Sequence, residues 1–367
     1  MVVIMKQRIK IIKRIDSFSG PFLLRLLPKA KYLQKPPSNI KKILIVRPGG
    51  MGDAVLLLPI IKEVRDSLPD VIIHILCETR NSGIFRSVKY INRFFHYDNP
   101  LHLLKLMNNN YDIIIDTEQS YYLSAFLCWF LKGRMKIGFN TCGRGDFFNK
   151  SFNYTQNKYE VIVFWDLFRE VLPVNKKFKW RFPYFSNIGS GFKFSEDFRN
   201  RPGKIVCIFP GASKKECKWP VEYWADVINS ISDSGNIPVL LGGGLELATA
   251  DKILKLCRAD KLINYTNRLS LFETSQLFNH ANLLITTDSG ILHLGVICDV
   301  ATISLFGAGN TIKWGPSGQK HIIITKNLNC SPCAMFGSIP PCSNKDLCMK
   351  KITSNIVIDA CMDSLKK

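Results

Sequence analysis

Short, continuous apolar runs alternate along the chain with longer segments in which apolar residues recur every three or four positions. The runs KKILIV (41–46), VIIHILCE (71–78), YDIIID (111–116) and KIGF (136–139) read as strands of the buried, parallel kind. Between and after them, AVLLLPIIKEVRDSLP, SYYLSAFLCWFL and YEVIVFWDLFREVL carry helical periodicity. The pattern restarts at KIVCIFP (204–210) and continues through IPVLLGGG (237–244), NLLITTDSG (282–290), ATISLFGAG (301–309) and HIIIT (321–325). Helical stretches again fill the gaps: WPVEYWADVINSISDSG, ELATADKILKLC, LSLFETSQLFNHA and ILHLGVICD. Alternating strands and helices in two halves predict an α/β protein of two Rossmann-like parallel layers. Residues 186–202, with Gly189, Gly191 and Pro202, are the expected boundary.

The first forty residues have a different character. Met5, Ile9, Ile12 and Ile15 recur at helical spacing with Lys6, Lys10, Lys13 and Arg14 between them. Gly20-Pro21 breaks the run, and PFLLRLLPKAKYL follows. Residues 1–42 hold eleven Lys or Arg and a single acid, Asp16, within a chain of net charge +21. Aliphatic anchors interleaved with cations describe a segment lying in an anionic membrane surface; a helix packed on the domain with a solvated basic face is the other reading. Nucleic-acid binding would want aromatic stacking residues among the cations, and the arm sets them beside aliphatic ones instead. Three parts are therefore expected: a basic arm (1–40), a first Rossmann-like domain (41–187) and a second (203–367). No run is long and apolar enough for a membrane span, and the start carries no secretory signal. The expected location is cytoplasmic, peripherally associated with the inner face of the membrane.

Three strand-to-helix junctions carry candidate chemistry. In Arg47-Pro48-Gly49-Gly50-Met51-Gly52-Asp53, glycines let backbone N–H groups approach a polar substrate, and Asp53 opens the helix. A helix-capping carboxylate is the bland alternative. The loop lacks the third glycine of the dinucleotide fingerprint and the Gly-Lys-Ser/Thr of a P-loop, which disfavours a dehydrogenase. The second junction, Gly211 to Pro220, offers Ser213, Lys214, Lys215 and Lys218 at a helix start, a suitable diphosphate site. In the third, Asp288, Ser289 and Gly290 precede a helix carrying His293. Glu246, after Gly242-Gly243-Gly244, is placed to accept ribose hydroxyls or simply to sit on a helix first turn.

Taken in order, RPGGMGDAVLLLP, FPGASKKECKWPVEYW and TTDSGILHLGV with ISLFG resemble glycosyltransferase family 9, the bacterial lipopolysaccharide heptosyltransferases, over roughly residues 41–355. The resemblance implies a GT-B fold of two Rossmann-like domains facing across a cleft. It implies an inverting, metal-independent transfer from a nucleotide sugar, usually ADP-heptose, to a lipid-linked oligosaccharide acceptor. By the same resemblance Asp53 is the catalytic base, and Gly50 and Gly52 belong to the acceptor-side loop. Gly211, Ser213, Glu246, Asp288, Ser289, Gly290 and His293 then bind the donor. The chain departs from the family pattern in two places. Cys217 stands where a lysine is usual, so Lys218 is expected to substitute, with Lys214 and Lys215 as rivals, and Gly307-Ala308-Gly309 replaces the common Gly-Pro-Thr. Both departures touch the donor side and leave another nucleotide sugar as the alternative. A non-catalytic binding module at the membrane is the reading outside the enzymes.

Twelve cysteines occur, most of them scattered in apolar stretches as expected of reduced, buried thiols. Four cluster as Cys330-x2-Cys333-x8-Cys342-x5-Cys348. That spacing suits a structural tetrahedral zinc site, plain reduced thiols, or a disulfide or other cluster, and no cofactor is expected for catalysis. Arg144, Lys150 and Lys158, in an irregular basic stretch, are candidates to meet acceptor phosphates or else to be solvated.

Overall fold

The computed structural model describes residues 16, 18–22, 24, 26–173, 177–180, 184–185, 198, 201–212, 214–335 and 338–366. The chain divides into two compact units, Met1–Trp180 and Arg181–Lys367. The expected boundary at 186–202 lies almost wholly outside the described residues.

Unit 1 is built on a six-stranded sheet in the order β3-β2-β1-β4-β5-β6, every pairing parallel. Its strands are β1 (Lys42–Arg47), β2 (Ile72–Cys77), β3 (Arg93–His96), β4 (Tyr111–Asp116), β5 (Gly133–Phe139) and β6 (Lys150–Phe152). Helices α1 (Met51–Ser67), α2 (Ser82–Arg86), α3 (Pro100–Met107), α4 (Tyr122–Phe130) and α5 (Glu160–Phe168) cross between or follow them. The central strands are apolar without alternation because both faces are covered: Ile43, Leu44, Ile45 and Val46 have no solvent exposure, nor do Ile113, Ile114 and Ile115. Strand β3 and helix α3 were not legible as separate elements, because RFFH is too short to show a period.

The arm is not wholly separate. Ala30 N–H donates to Asp146 O at 2.8 Å and Leu33 N–H to Asn149 O at 3.0 Å, while the Trp129 indole donates to Pro28 O at 3.0 Å. Leu24 and Leu27 pack against the core formed by Leu44, Leu76, Phe95 and Ala125. Asp16 is buried and accepts from the amides of Tyr122 and Leu123, satisfying donors at the start of α4 that the helix cannot pair itself. The packed-helix reading therefore describes this part of the arm, and the stripe Met5, Ile9, Ile12 and Ile15 lies outside the described residues.

Unit 2 repeats the design. Its parallel sheet runs β12-β11-β10-β7-β8-β9. The strands are β7 (Ile205–Phe209), β8 (Ile237–Leu240), β9 (Ile263–Asn264), β10 (Leu283–Thr287), β11 (Ala301–Phe306) and β12 (His321–Thr325). The helices are α6 (Val221–Asp233), α7 (Leu247–Leu256), α8 (Leu271–Phe278), α9 (Gly290–Ile297), α10 (Thr311–Trp314), α11 (Leu347–Lys350) and α12 (Ser354–Lys366). Helix α6 turns Trp224, Val227, Ile228 and Ile231 onto Ile208, Leu240 and Ile285, and α12 adds Val357 and Cys361 to the same core. Ser270 and Glu273 close a reciprocal capping box at the start of α8, worth about 1 kcal/mol.

In each unit the strand order reverses between two central strands, β1 and β4 in one, β7 and β10 in the other. Loops leaving the carboxyl ends of such a pair diverge and leave a crevice, the usual place for a ligand in an open α/β sheet. All three candidate junctions sit there: residues 47–53 after β1, 211–218 after β7 and 288–293 after β10.

Candidate functional site

In unit 1 the site is a chain of charges across the ends of β1 and β4. Parallel pairing sets Val46 opposite Asp116, so Arg47 and Thr117 leave the sheet side by side. The Arg47 guanidinium is buried. It donates to Thr117 O at 2.7 Å, pairs with Asp53 Oδ2 at 3.0 Å and lies 3.4 Å from Glu118 Oε2. Burial works against this cation, but Asp53, Glu118, Glu160 and Asp116 more than offset it and hold its pKa above the ordinary value. Glu118 is fixed in turn, its Oε1 accepting the amides of Gln119 (2.9 Å) and Ser120 (3.2 Å).

Asp53 is not a cap. The cap position of α1 is Gly50, and Asp53 stands in the first turn with its carboxylate on Arg47. The glycines make the approach possible. Gly49 has φ +111°, and a β-carbon there would lie 3.2 Å from the Arg47 guanidinium. A β-carbon on Gly50 would come to 3.0 Å from Asp53 Oδ2. Gly52 lies within the first turn of α1. Asn81 Nδ2 ties the loop down by donating to Arg47 O and Gly49 O, both at 3.2 Å.

Behind Glu118 lies a second buried arginine. Arg144 donates to Asp116 Oδ2 at 2.6 Å, to Ser124 Oγ at 3.1 Å and to Glu118 O at 2.5 Å, with no solvent exposure. The solvated-loop expectation for Arg144 is thus wrong, and so is direct contact with an acceptor phosphate; it braces the 116–118 turn. Burial raises Asp116 above the usual carboxylate range although Arg144 opposes it. Lys150 is committed to Glu170 at 2.5 Å, whereas Lys158 is exposed and 3.4 Å from Asp166.

In unit 2 the ends of β7 and β10 are tied together by Thr287 Oγ1, which donates to Gly211 O at 3.0 Å. Gly211 is forced by closeness: a β-carbon there would lie 2.8 Å from the Glu246 side chain. Glu246 stands at the start of α7 and accepts from Gly243 N–H at 2.9 Å. Ser289 occupies the cap position of α9, its hydroxyl 3.1 Å from that of Thr286, and Gly290 is the first helical residue. Burial pushes Asp288 up to about 7, which keeps a large share of its carboxyl neutral near neutral pH. Burial pushes His293 down to about 4, so its imidazole is neutral, and its Nδ1 has no hydrogen-bond partner among the described residues. Together these loops offer the amides at the start of α9, a half-neutral carboxyl and an imidazole nitrogen with no partner among the described residues, a set that suits a diphosphate ester.

Ser213 lies outside the described residues. Lys214, Lys215 and Lys218 are exposed. Cys217 turns inward and is buried, its thiol pushed up to about 12 by burial with Asp288 and Cys348 contributing.

Of the alternatives open for the four-cysteine cluster, the zinc site is one the structure does not support. Among the described residues no group of three or more His, Cys, Asp or Glu is placed to hold a metal ion. The sulfurs are engaged otherwise: Cys330 Sγ accepts from Asn344 Nδ2 at 3.2 Å and Cys342 Sγ from Asp346 N–H at 3.4 Å. The segment instead packs on the loop after β11, with Cys333 and Ala334 N–H donating to Ala308 O.

Residues 102–342 match the model of glycosyltransferase family 9 (heptosyltransferase). Lipooligosaccharide heptosyltransferase 2 of Campylobacter jejuni is 25% identical over 339 residues, 89% of this chain and 98% of that protein. Among solved structures, the Escherichia coli ADP-heptose lipopolysaccharide heptosyltransferase II superposes with a TM-score of 0.71 at 16% identity, covering 88% of this chain and 98% of that one. The Escherichia coli heptosyltransferase WaaC with ADP gives 0.66 at 18% identity, covering 88% and 99%. Both share the two-sheet GT-B architecture found here.

Proposed function

The chain belongs to glycosyltransferase family 9, the heptosyltransferases, and from that premise we propose that it moves a heptose from ADP-heptose onto a lipopolysaccharide core acceptor, inverting the anomeric centre without a catalytic metal. The observation that carries this reading is the Asp53 carboxylate held on the buried Arg47 guanidinium at 3.0 Å. An inverting transfer needs one general base at the acceptor hydroxyl and cationic or dipolar groups at the leaving diphosphate. Asp53 supplies the first. It takes the proton as the hydroxyl oxygen attacks the anomeric carbon and the bond to the diphosphate breaks. The amides at the start of α9, with Ser289, Gly290 and the neutral His293, supply the second, and Asp288 in its neutral form does not repel the anion. Gly211, Ser213 and Lys218 complete the diphosphate side, and Glu246 takes the ribose. The superposed proteins support the donor: one is an ADP-heptose heptosyltransferase and another is a heptosyltransferase with ADP. Among the described residues no helix is long and apolar enough to cross a membrane, and the basic arm is proposed to hold the enzyme at the membrane surface where a lipid-borne acceptor lies.

The test is thermal melting with ADP, UDP and GDP, each with and without EDTA, followed by turnover with ADP-heptose. Ligand at about one hundred times its dissociation constant adds roughly 2.7 kcal/mol, a readily measured shift. A shift with ADP alone that survives EDTA supports the proposal. A shift with UDP or GDP alone would overturn the donor and keep the fold.

A further inference from the structure

Unit 1 leaves apolar side chains in solvent on three helical segments. On α3, Leu101, Leu104 and Met107 are 66%, 60% and 45% exposed, a stripe at three-residue spacing opposite the buried Leu106. On α4, Leu123 and Phe130 are 36% and 49% exposed. In the helical residues before Leu27, Phe18, Phe22 and Leu26 recur at four-residue spacing and are more than half exposed. A soluble face rarely gathers so many large apolar groups without a partner.

One residue of the α3 stripe, Met107, and both exposed residues of α4 border a cavity of about 420 Å³. Met107 of α3 and Leu123, Leu127 and Phe130 of α4 form its walls, and it reaches Pro48 and Gly49 of the loop that carries Asp53. Its size falls in the range of ligand pockets, and its walls are mostly carbon. The carboxylates around it are turned to other partners. Asp16 is on the α4 amides, Glu118 on Arg47, Glu78 on Arg80, and Asp98 on Thr79.

Charge and aromatic residues identify what covers this face. Lys29, Lys31, Lys35, Lys105 and Lys132 are all exposed. Trp129 and the exposed Tyr32 stand with the arm segment and its lysines, as aromatic side chains do at a membrane interface. We propose that α3, α4 and the exposed Phe18, Phe22 and Leu26 form a docking face for an anionic lipid bilayer, with one hydrocarbon chain of the bilayer entering the cavity beside the Asp53 loop. The proposal rests on the reading of a lipid-borne acceptor and adds to it the surface that meets the lipid. Docking through these helices sets the Asp53 loop at the level of the headgroups.

The experiment uses the full chain and vesicles of phosphatidylglycerol mixed with phosphatidylethanolamine, against vesicles of phosphatidylcholine. Wild type is expected to sediment with the anionic vesicles. Leu101→Glu with Leu104→Glu, and separately Phe130→Glu, are expected to weaken that partition at least about tenfold, the size of the effect of withdrawing a buried leucine or phenylalanine from hydrocarbon. Because Leu101 and Leu104 are mostly exposed, the melting midpoint of their double variant and any shift with ADP should stay as in wild type. Brominated acyl chains should quench emission in wild type and quench less in Trp129→Phe. Unchanged partition of both charge variants would overturn the docking face, as would equal binding to phosphatidylcholine. Vesicle binding that depends on Leu104 without any shift from ADP would uphold the docking face while the donor reading failed.

Discussion

Arg47 Nη2 and Asp53 Oδ2 lie 3.0 Å apart, six residues apart in sequence, one at the end of β1 and the other in the first turn of α1. The pair is nearly sealed from solvent, the two side chains being 2% and 14% exposed. The same guanidinium also faces Glu118, so one cation serves two carboxylates. Replacing Asp53 by Asn keeps the shape and removes the base. Turnover is expected to fall by about 10²–10⁴-fold, with any melting shift from ADP retained. Near-normal turnover in Asp53→Asn would remove Asp53 from the mechanism.

Arg47 holds that carboxylate by shape as well as charge. In Arg47→Lys the charge stays but the fork that reaches Thr117 O, Asp53 and Glu118 together is lost. Turnover should fall about tenfold, with the acid limb of its pH profile moved upward because a less well paired Asp53 protonates more readily. In Arg47→Met two buried carboxylates lose their cation, and a loss of about 3–5 kcal/mol is expected in urea unfolding. A pH profile unmoved in Arg47→Lys would show that the arginine only fills space.

Much of this arrangement was legible in the sequence, and the part that was not has one cause. The loops after β1, β7 and β10 announced themselves because glycines and polar residues follow continuous apolar strands, a local signal. The partners did not. Glu118 is 71 residues from Arg47, and Arg144 is 28 from Asp116. Only the parallel register of β1 on β4 brings the first two together, and nothing local encodes that register. The one hint was YDIIID, a buried strand ending in Asp-Thr-Glu, charges that a sheet buried on both faces must pair. The cysteine cluster failed in the opposite way: its spacing is local and suggestive, but ligation requires four sulfurs to converge, and spacing does not fix that.

Arg144 gives a test of bracing without chemistry. It touches Asp116, Ser124 and the Glu118 carbonyl and is fully buried. Arg144→Met strands the Asp116 carboxyl and should cost about 3–5 kcal/mol in urea unfolding. Asp116→Asn together with Arg144→Met should cost clearly less than the two single losses added, since the groups are coupled. Additive losses would mean the two side chains act independently.

Asp288 and His293 make opposite demands on pH. Asp288 ionises near 3.8 when unfolded and near 7 when folded, because burial penalises its charge. Between those values the folded chain keeps a proton the unfolded chain has released. Stability from this group is complete below about 4 and is lost as pH rises through 7, by about 1.4 kcal/mol per pH unit at most. His293 titrates near 6.5 unfolded and near 4 folded, again through burial. Here the unfolded chain binds the extra proton, so its contribution is complete above 6.5 and is lost as pH falls toward 4. The two slopes oppose each other over the same interval and largely cancel in wild type. Relative to wild type, His293→Gln should lose stability as pH rises from 4 to 6.5, and Asp288→Asn should gain it. Urea midpoints collected from pH 4 to 7.5 read both differences directly, and curves parallel to wild type would mean that neither group is perturbed by its burial. The cancellation also bears on the proposed donor site. A carboxyl that is about half neutral and an imidazole that stays uncharged near pH 7 leave the helix amides as the main feature that attracts a diphosphate. Because the slope left in His293→Gln belongs to Asp288, an ADP diphosphate held beside that carboxyl should extend the slope to higher pH.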